Sequence, residues 1–218
     1  MGDQELLDRL KDAVVQGDGK KIRKLAQETL DAGVDPYKAL TEGCARGIEI
    51  ASEKYCRNEM FILEIILSAE AMYAAFDVLK PCFKEKAEKG KVVLGVVGGD
   101  VHDIGKNVVK LLLEAAGFEV IDLGKNVPLK GFVEKIKETD ADIVGMSAFM
   151  TVSILGMYEV IKMIEGEGLR DKVKIMVGGA PITQEFAGQI GADGYAKNGR
   201  DGVKVAEKLM MEKGGFTS

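Results

Sequence analysis

The sequence has one histidine, no tryptophan, four prolines and three cysteines in 218 residues. A site built on several imidazoles is therefore excluded, and chemistry that needs a ring nitrogen has only His102 to use. Cys44, Cys56 and Cys82 are odd in number, widely spaced and free of any CxxC pattern, which indicates neither a disulfide framework nor a cysteine zinc site. They read as small, buried or partly buried side chains. No run approaches the roughly 18 apolar residues of a membrane helix. Met1-Gly2-Asp3-Gln4-Glu5 is acidic where a secretory leader would be basic and then apolar, so no membrane association and a cytoplasmic location are expected. Excess positive charge is also missing. A formal net charge of -5 and a pI near 5.2 give no general attraction to nucleic acid or to anionic lipid.

What is present is ordinary globular composition, 46% hydrophobic and 30% charged, in a chain long enough for one large domain or two modest ones. Up to about residue 85 the pattern is helical. Leu6, Leu7, Leu10, Ala13 and Val14 share one face of a helix over Gln4–Gln16, and Ile22, Leu25, Ala26 and Leu30 share one over Lys20–Leu30. Asp35-Pro36 opens a third helix carrying Leu40, Cys44, Ile48, Ala51 and Tyr55; a fourth runs from Phe61 to Leu79 and closes at Pro81. Four amphipathic helices with short connections predict a small bundle. On pattern alone it could be a scaffold or a dimerisation module. Tyr55 and Met60-Phe61-Ile62, however, gather large apolar side chains at one bundle end, where they could cover something flat and apolar.

Lys84 to Gly90 is charged and lacks an apolar face, which suits a linker at residues 86–90 between a helical domain, 1–85, and a second domain, 91–218. Beyond it strands and helices alternate. Strands are predicted at Val92–Val97, Glu119–Leu123, Ile143–Ser147, Ile175–Val177 and Gly194–Ala196. Helices are predicted at Lys106–Ala116, Leu129–Glu138, Val152–Glu165, Thr183–Ile190 and Asp201–Glu212. Apolar strands in βα units predict a parallel sheet covered on both faces, of the flavodoxin-like, doubly wound order 2-1-3-4-5. Its switch point lies between strands 1 and 3, where ligands bind outside the carboxyl ends.

Three loops converge there. The first holds Gly99-Asp100-Val101-His102-Asp103-Ile104-Gly105; a carboxylate two residues before the imidazole can fix its tautomer and raise its basicity toward a metal. The second holds Ser147, Phe149, Thr151 and Ser153, and the third Gly178-Gly179. Each has a plainer reading on its own: a structural histidine in a turn, helix capping by hydroxyls, a tight βα turn. Their convergence favours a ligand site.

The constellation Asp100-x-His102-x-x-Gly105, then Ser147-x-Phe149, then Gly178-Gly179, resembles the DxHxxG, SxL and GG signature of corrinoid proteins of cobalamin-dependent methyltransferase systems. The resemblance covers essentially the whole chain. Phe149 departs from it, standing where the family usually has leucine. The resemblance implies a base-off, His-on cobalamin, with His102 as the lower cobalt ligand. It further implies Asp100 on the other imidazole nitrogen and Ser153 completing a His-Asp-Ser relay. Ser147, Phe149, Thr151, Gly178 and Gly179 would line the nucleotide-tail pocket, beside Gly99, Val101, Asp103, Ile104 and Gly105. Tyr55 and Ile62 would lie over the upper corrin face, the helical bundle being the cap.

The function so implied is methyl carriage, from a substrate:corrinoid methyltransferase through Co(I) and methyl-Co(III) to a corrinoid:tetrahydrofolate or corrinoid:coenzyme M methyltransferase, with a reductive activase as a further partner. The donor could be a methanol, methylamine or methoxyaromatic type. Similar modules occur in cobalamin-dependent sensors, which need an output region such as a basic helix-turn-helix, and residues 1–16 are too short and acidic to be one. Mutase-type subunits normally lack the preceding bundle.

Overall fold

The computed structural model describes residues 2–83 and 89–214. The chain divides into two compact units, residues 1–85 and 86–218. The expected linker at 86–90 lies outside the described residues except for Lys89 and Gly90.

The first unit is helical. Helix α1 (Asp3–Val15) buries Leu6, Leu7, Leu10, Ala13 and Val14, the residues its periodicity placed on one face. Helix α2 (Gly19–Asp31) is capped by Asp18, whose carboxylate accepts the Lys21 N–H at 2.9 Å. Asp35 caps the short α3 (Pro36–Lys38) in the same way, accepting from the Lys38 N–H at 2.7 Å. From there the chain passes through a π-helical segment, Ala39–Ala45, into α4 (Arg46–Cys56). A single α-helix was expected. The departure falls where two glycines let α1 approach closely: a Cβ on Gly47 would stand 2.6 Å from Cβ of Val14, and one on Gly43 3.0 Å from Cβ of Leu10.

Helix α5 (Ile62–Leu79) begins where the Phe61 N–H donates to the Glu64 carboxylate at 2.7 Å, and a 3-10 turn, Lys80–Cys82, ends it. It corrects the expectation of four amphipathic helices. Ile65, Ala69 and Met72 are buried, yet Phe61, Ile62, Leu63, Ile66 and Leu67 are exposed, Phe61 by 81% and Leu63 by 70%. The first turns of α5 are thus apolar on both sides.

The second unit alternates strand and helix: β1 (Lys91–Val96), α6 (Ile104–Ala115), β2 (Glu119–Asp122), α7 (Leu129–Thr139), β3 (Ile143–Ser147), α8 (Ile154–Gly166), β4 (Lys174–Gly178), α9 (Gln184–Gln189), β5 (Gly194–Ala196) and α10 (Gly199–Glu212). All strand pairs are parallel, in the order β2-β1-β3-β4-β5. This is the flavodoxin-like order expected. Helices α7 and α8 pack together, as do α6 and α10, so both sheet faces are covered and β1 and β3 bury nearly every residue. Burying each large aliphatic side chain contributes roughly 1.5–3 kcal/mol. The register pairs Val96 with Ser147 and Ser147 with Gly178, which brings the ends of β1, β3 and β4 level.

Candidate functional site

At that level edge the three loops are joined by hydrogen bonds. The β1 loop turns through Gly98 and Gly99 and sinks the Asp100 side chain to zero exposure. One of its oxygens, Oδ1, accepts the His102 backbone N–H at 3.0 Å and lies 2.8 Å from His102 Nδ1. The other, Oδ2, accepts the Phe149 and Met150 N–H groups of the β3 loop at 2.6 and 2.9 Å. Burial alone would raise this carboxyl, but the three backbone donors and the imidazole outweigh it and lower it from 3.8 to about 2.

An ionised carboxylate only accepts, so the proton on the neutral imidazole sits at Nδ1, and Nε2 keeps its lone pair. The His102 side chain is 46% exposed and its ring packs on Phe149, with centroids 4.7 Å apart and planes at 31°. Phe149, expected in a tail pocket, lies beside the imidazole itself.

Ser153 ends a 3-10 turn, Thr151–Ser153, that precedes α8. The helix expected from Val152 thus opens as a tighter turn, closed by the Ser153 N–H on the Met150 carbonyl at 3.0 Å. Its hydroxyl is buried and has no hydrogen-bond partner, so the link expected from Ser153 to Asp100 is not made in this structure. The Phe149 and Met150 N–H groups hold that carboxylate instead. A Cβ on Gly99 would stand 3.7 Å from Ser153 Oγ, so this orphaned hydroxyl borders the same loop.

The remaining expected residues take the following places. Ser147 ends β3, and its carbonyl accepts the Val97 N–H at 3.1 Å. Thr151 and Val101 are exposed, Val101 by 56%. Asp103 is the N-cap position of α6, Ile104 and Gly105 its first residues. Gly178 and Gly179 meet backbone rather than open space: a Cβ on Gly178 would stand 2.7 Å from the Ala196 carbonyl oxygen, and one on Gly179 1.9 Å from that of Ala148. Tyr55 lies in the last turn of α4 and is partly buried; Ile62 opens α5 and is 51% exposed.

Sequence reasoning missed Lys106, which follows Gly105 and reads as a solvated helix residue. Its side chain is 1% exposed, and its Nζ meets Asp122 Oδ1 at 2.6 Å. The partner is a strand end sixteen positions away, with no local spacing to announce it.

These residues fit a corrinoid. Among the described residues no group of three or more His, Cys, Asp and Glu side chains could hold a bare metal ion, whereas one tautomer-fixed imidazole suits a metal whose in-plane ligands belong to a macrocycle. The unpartnered Ser153 hydroxyl supplies a buried polar atom against Gly99 of the loop that carries the imidazole.

The Asp100 assembly carries a measurable cost of acidification. Its pKa lies below the unfolded value, so its stabilisation is complete above about pH 4 and disappears as pH falls toward 2; the shift corresponds to roughly 2 kcal/mol. Asp100→Asn should lack that acid dependence, and should be less stable at neutral pH by roughly 1–3 kcal/mol because the amide turns an N–H₂ group toward N–H donors. Urea unfolding at several pH values measures both. Identical pH profiles for parent and variant would contradict the assignment.

The comparisons agree with the geometry. The chain matches a family described as B12 binding domain over residues 90–204, and a second family of the same description over residues 6–80. It is 42% identical to the dimethylamine corrinoid protein of Methanosarcina barkeri, over 96% of this chain and 100% of that one. Among solved structures it resembles the Methanosarcina barkeri monomethylamine corrinoid protein, with a TM-score of 0.80 and 36% identity over 95% of this chain and 100% of that one. It also resembles a chain of the methanol:cobalamin methyltransferase complex of the same organism, with a TM-score of 0.56 and 29% identity over 95% of this chain and 80% of that one. Among the described residues no helix is long and apolar enough to cross a membrane. In the loops that form its site and along nearly its whole length, the chain belongs to the corrinoid proteins, a family with B12 binding domains.

Proposed function

We propose that this chain is a methyl carrier that binds cobalamin base-off with His102 as the lower ligand, and that it serves two methyltransferases without holding their substrates. The observation that carries the reading is the exposed imidazole at the switch point, its Nδ1 engaged by a buried, ionised Asp100. Similarity to methylamine corrinoid proteins and to a chain of a methyltransferase complex supports the same role. When bound, the corrinoid supplies a cobalt centre that accepts and releases a methyl group.

The protein's own residues do the rest. Asp100 keeps the Nδ1 proton in place and so keeps Nε2 a donor; Phe149 limits how far the ring can turn. Ser153 offers its free hydroxyl, and Ser147, Thr151, Gly178 and Gly179 are assigned to the nucleotide tail. Tyr55 and Ile62 are assigned the exclusion of water, since an apolar face is in surplus on the first turns of α5. The donor-side partner is a substrate:corrinoid methyltransferase, the acceptor-side one a tetrahydrofolate or coenzyme M enzyme, and a reductive activase restores oxidised protein.

Protein loaded with hydroxocobalamin and reduced should take up one labelled methyl group per chain when a methylamine:corrinoid methyltransferase and its substrate are added. No label on the protein under conditions where free cobalamin is methylated would overturn the carrier role. Tyr55→Ala and Ile62→Ala, separately and in the full chain, should speed air oxidation of the reduced cofactor several-fold. Parental rates would remove both residues from the assignment.

A further inference from the structure

The hydrogen bonds around His102 extend beyond Asp100 to a loop not yet given a role. Residues 123–128 connect β2 to α7 and run beside the β1 loop, the Val127 N–H donating to the Val96 carbonyl at 2.9 Å. Within them Asn126 has a left-handed φ of 52°. Its Oδ1 accepts the Gly99 N–H at 2.8 Å, and its own N–H donates to the Asp100 carbonyl at 2.9 Å. One residue therefore holds two consecutive residues of the β1 loop, one through its N–H and the other through its carbonyl. The second of these is the aspartate whose side chain fixes the imidazole.

The loop that carries Asn126 is itself anchored. Asp122, at the end of β2, accepts Lys106 Nζ at 2.6 Å, the Gly124 N–H at 2.8 Å and Lys110 Nζ at 3.3 Å. The Lys106 side chain is almost fully buried on α6, the helix into which the His102 loop runs. Lys125 Nζ stands 3.9 Å from the Asp103 carboxylate. Both ends of the His-bearing segment are thus tied to the β2–α7 connection, downstream through Lys106–Asp122 and upstream through Asn126.

We infer that Asn126 is a positioning residue for His102, acting through the backbone of Gly99 and Asp100 to aim the Asp100 carboxylate at Nδ1. The inference rests on the reading of His102 as the cobalt ligand. The residue type follows from two demands at one position. A φ of 52° suits Gly, Asn and Asp, and only Asn and Asp add a side-chain oxygen for the Gly99 N–H. Asn126→Gly keeps the backbone and removes the acceptor, while Asn126→Asp keeps both.

The single histidine makes the test clean, since protein labelled with nitrogen-15 histidine has one imidazole to observe. In cofactor-free protein at alkaline pH the ring-nitrogen shifts give the tautomer ratio. The parent should show Nδ1–H. Asn126→Gly should raise the Nε2–H fraction roughly threefold or more, as loss of one hydrogen bond to a lightly shielded loop allows, and Asn126→Asp should return it toward the parent. After loading and reduction to Co(II), the electron paramagnetic resonance spectrum of Asn126→Gly should contain a reduced share of the histidine-dependent splitting. Parental tautomer ratios in Asn126→Gly, or equal ratios in the Gly and Asp variants, overturn the inference. A parent whose Co(II) spectrum ignores the isotope overturns the ligand reading instead, and the tautomer ratios distinguish the two failures.

Discussion

His102→Ala should abolish the protein-derived nitrogen splitting in the Co(II) spectrum of the loaded chain. The parent contains one imidazole, so replacing its nitrogen with nitrogen-15 must change the splitting pattern, and the variant has nothing with which to replace it. Corrinoid should still bind, because the β3 and β4 loops remain, but affinity should fall on the order of tenfold or more; loss of a partner behind a metal ligand already costs that much. A parent spectrum unchanged by the isotope would end the assignment. Asp100 itself meets four donors from three residues, which leaves the imidazole as the member of that pair able to approach a metal.

The second large effect is expected far from any ring nitrogen. Gly179→Ala introduces a Cβ 1.9 Å from the Ala148 carbonyl oxygen at a φ of 122°, a conformation essentially closed to other residues. Since both partners are backbone, the strain cannot be relieved by rotating a side chain. The β3 and β4 loops must separate, with a loss of roughly 4 kcal/mol or more. Ala148 directly precedes Phe149 and Met150, so their grip on Asp100 should loosen too and the imidazole should lose its fixed tautomer. Gly188→Ala is the control: it lies in α9 with nothing within 4 Å of the added carbon, and should be neutral or slightly stabilising. Denaturant unfolding compares them. Equal midpoints would show that the loops yield at no cost.

This result bears on what could be read without coordinates. The glycine pair was legible as a motif, yet its motif reading, room for a ligand, captured only half of its physics. Each glycine is also required by a neighbouring carbonyl that belongs to a different strand end, and such a contact has no trace in local sequence. The sheet order was legible for a simpler reason: strands buried on both faces are nearly uninterrupted apolar runs, and β3 begins and ends where its run does. Helix α6 starts two residues earlier than its apolar pattern, at Ile104, although the Asp103 side chain at its N-cap position makes no capping hydrogen bond.

Pairings between distant segments stayed hidden. Lys106 and Asn126 look like ordinary surface residues in their own neighbourhoods, and only the packing of α6 and the β2–α7 connection against the β1 loop gives them partners. Ser153 shows the converse. Its place in the motif was plain, but the donors that satisfy Asp100 are peptide N–H groups, which every residue type other than proline carries and no motif can single out.

The π-helical segment Ala39–Ala45 gives the first unit a spare residue within a helix. Each wide turn holds one residue more than an α-turn, so α4 is rotated by about 100° from the phase an uninterrupted helix would give it. Which way Tyr55 points is therefore decided upstream, by a spare residue rather than by its own surroundings. Deleting one residue from that segment would restore plain α-turns and leave α4 facing α1 as before, whereas a deletion within α4 ahead of Tyr55 would turn that side chain by about 100°. For this helix, where a residue is lost matters more than that one is lost.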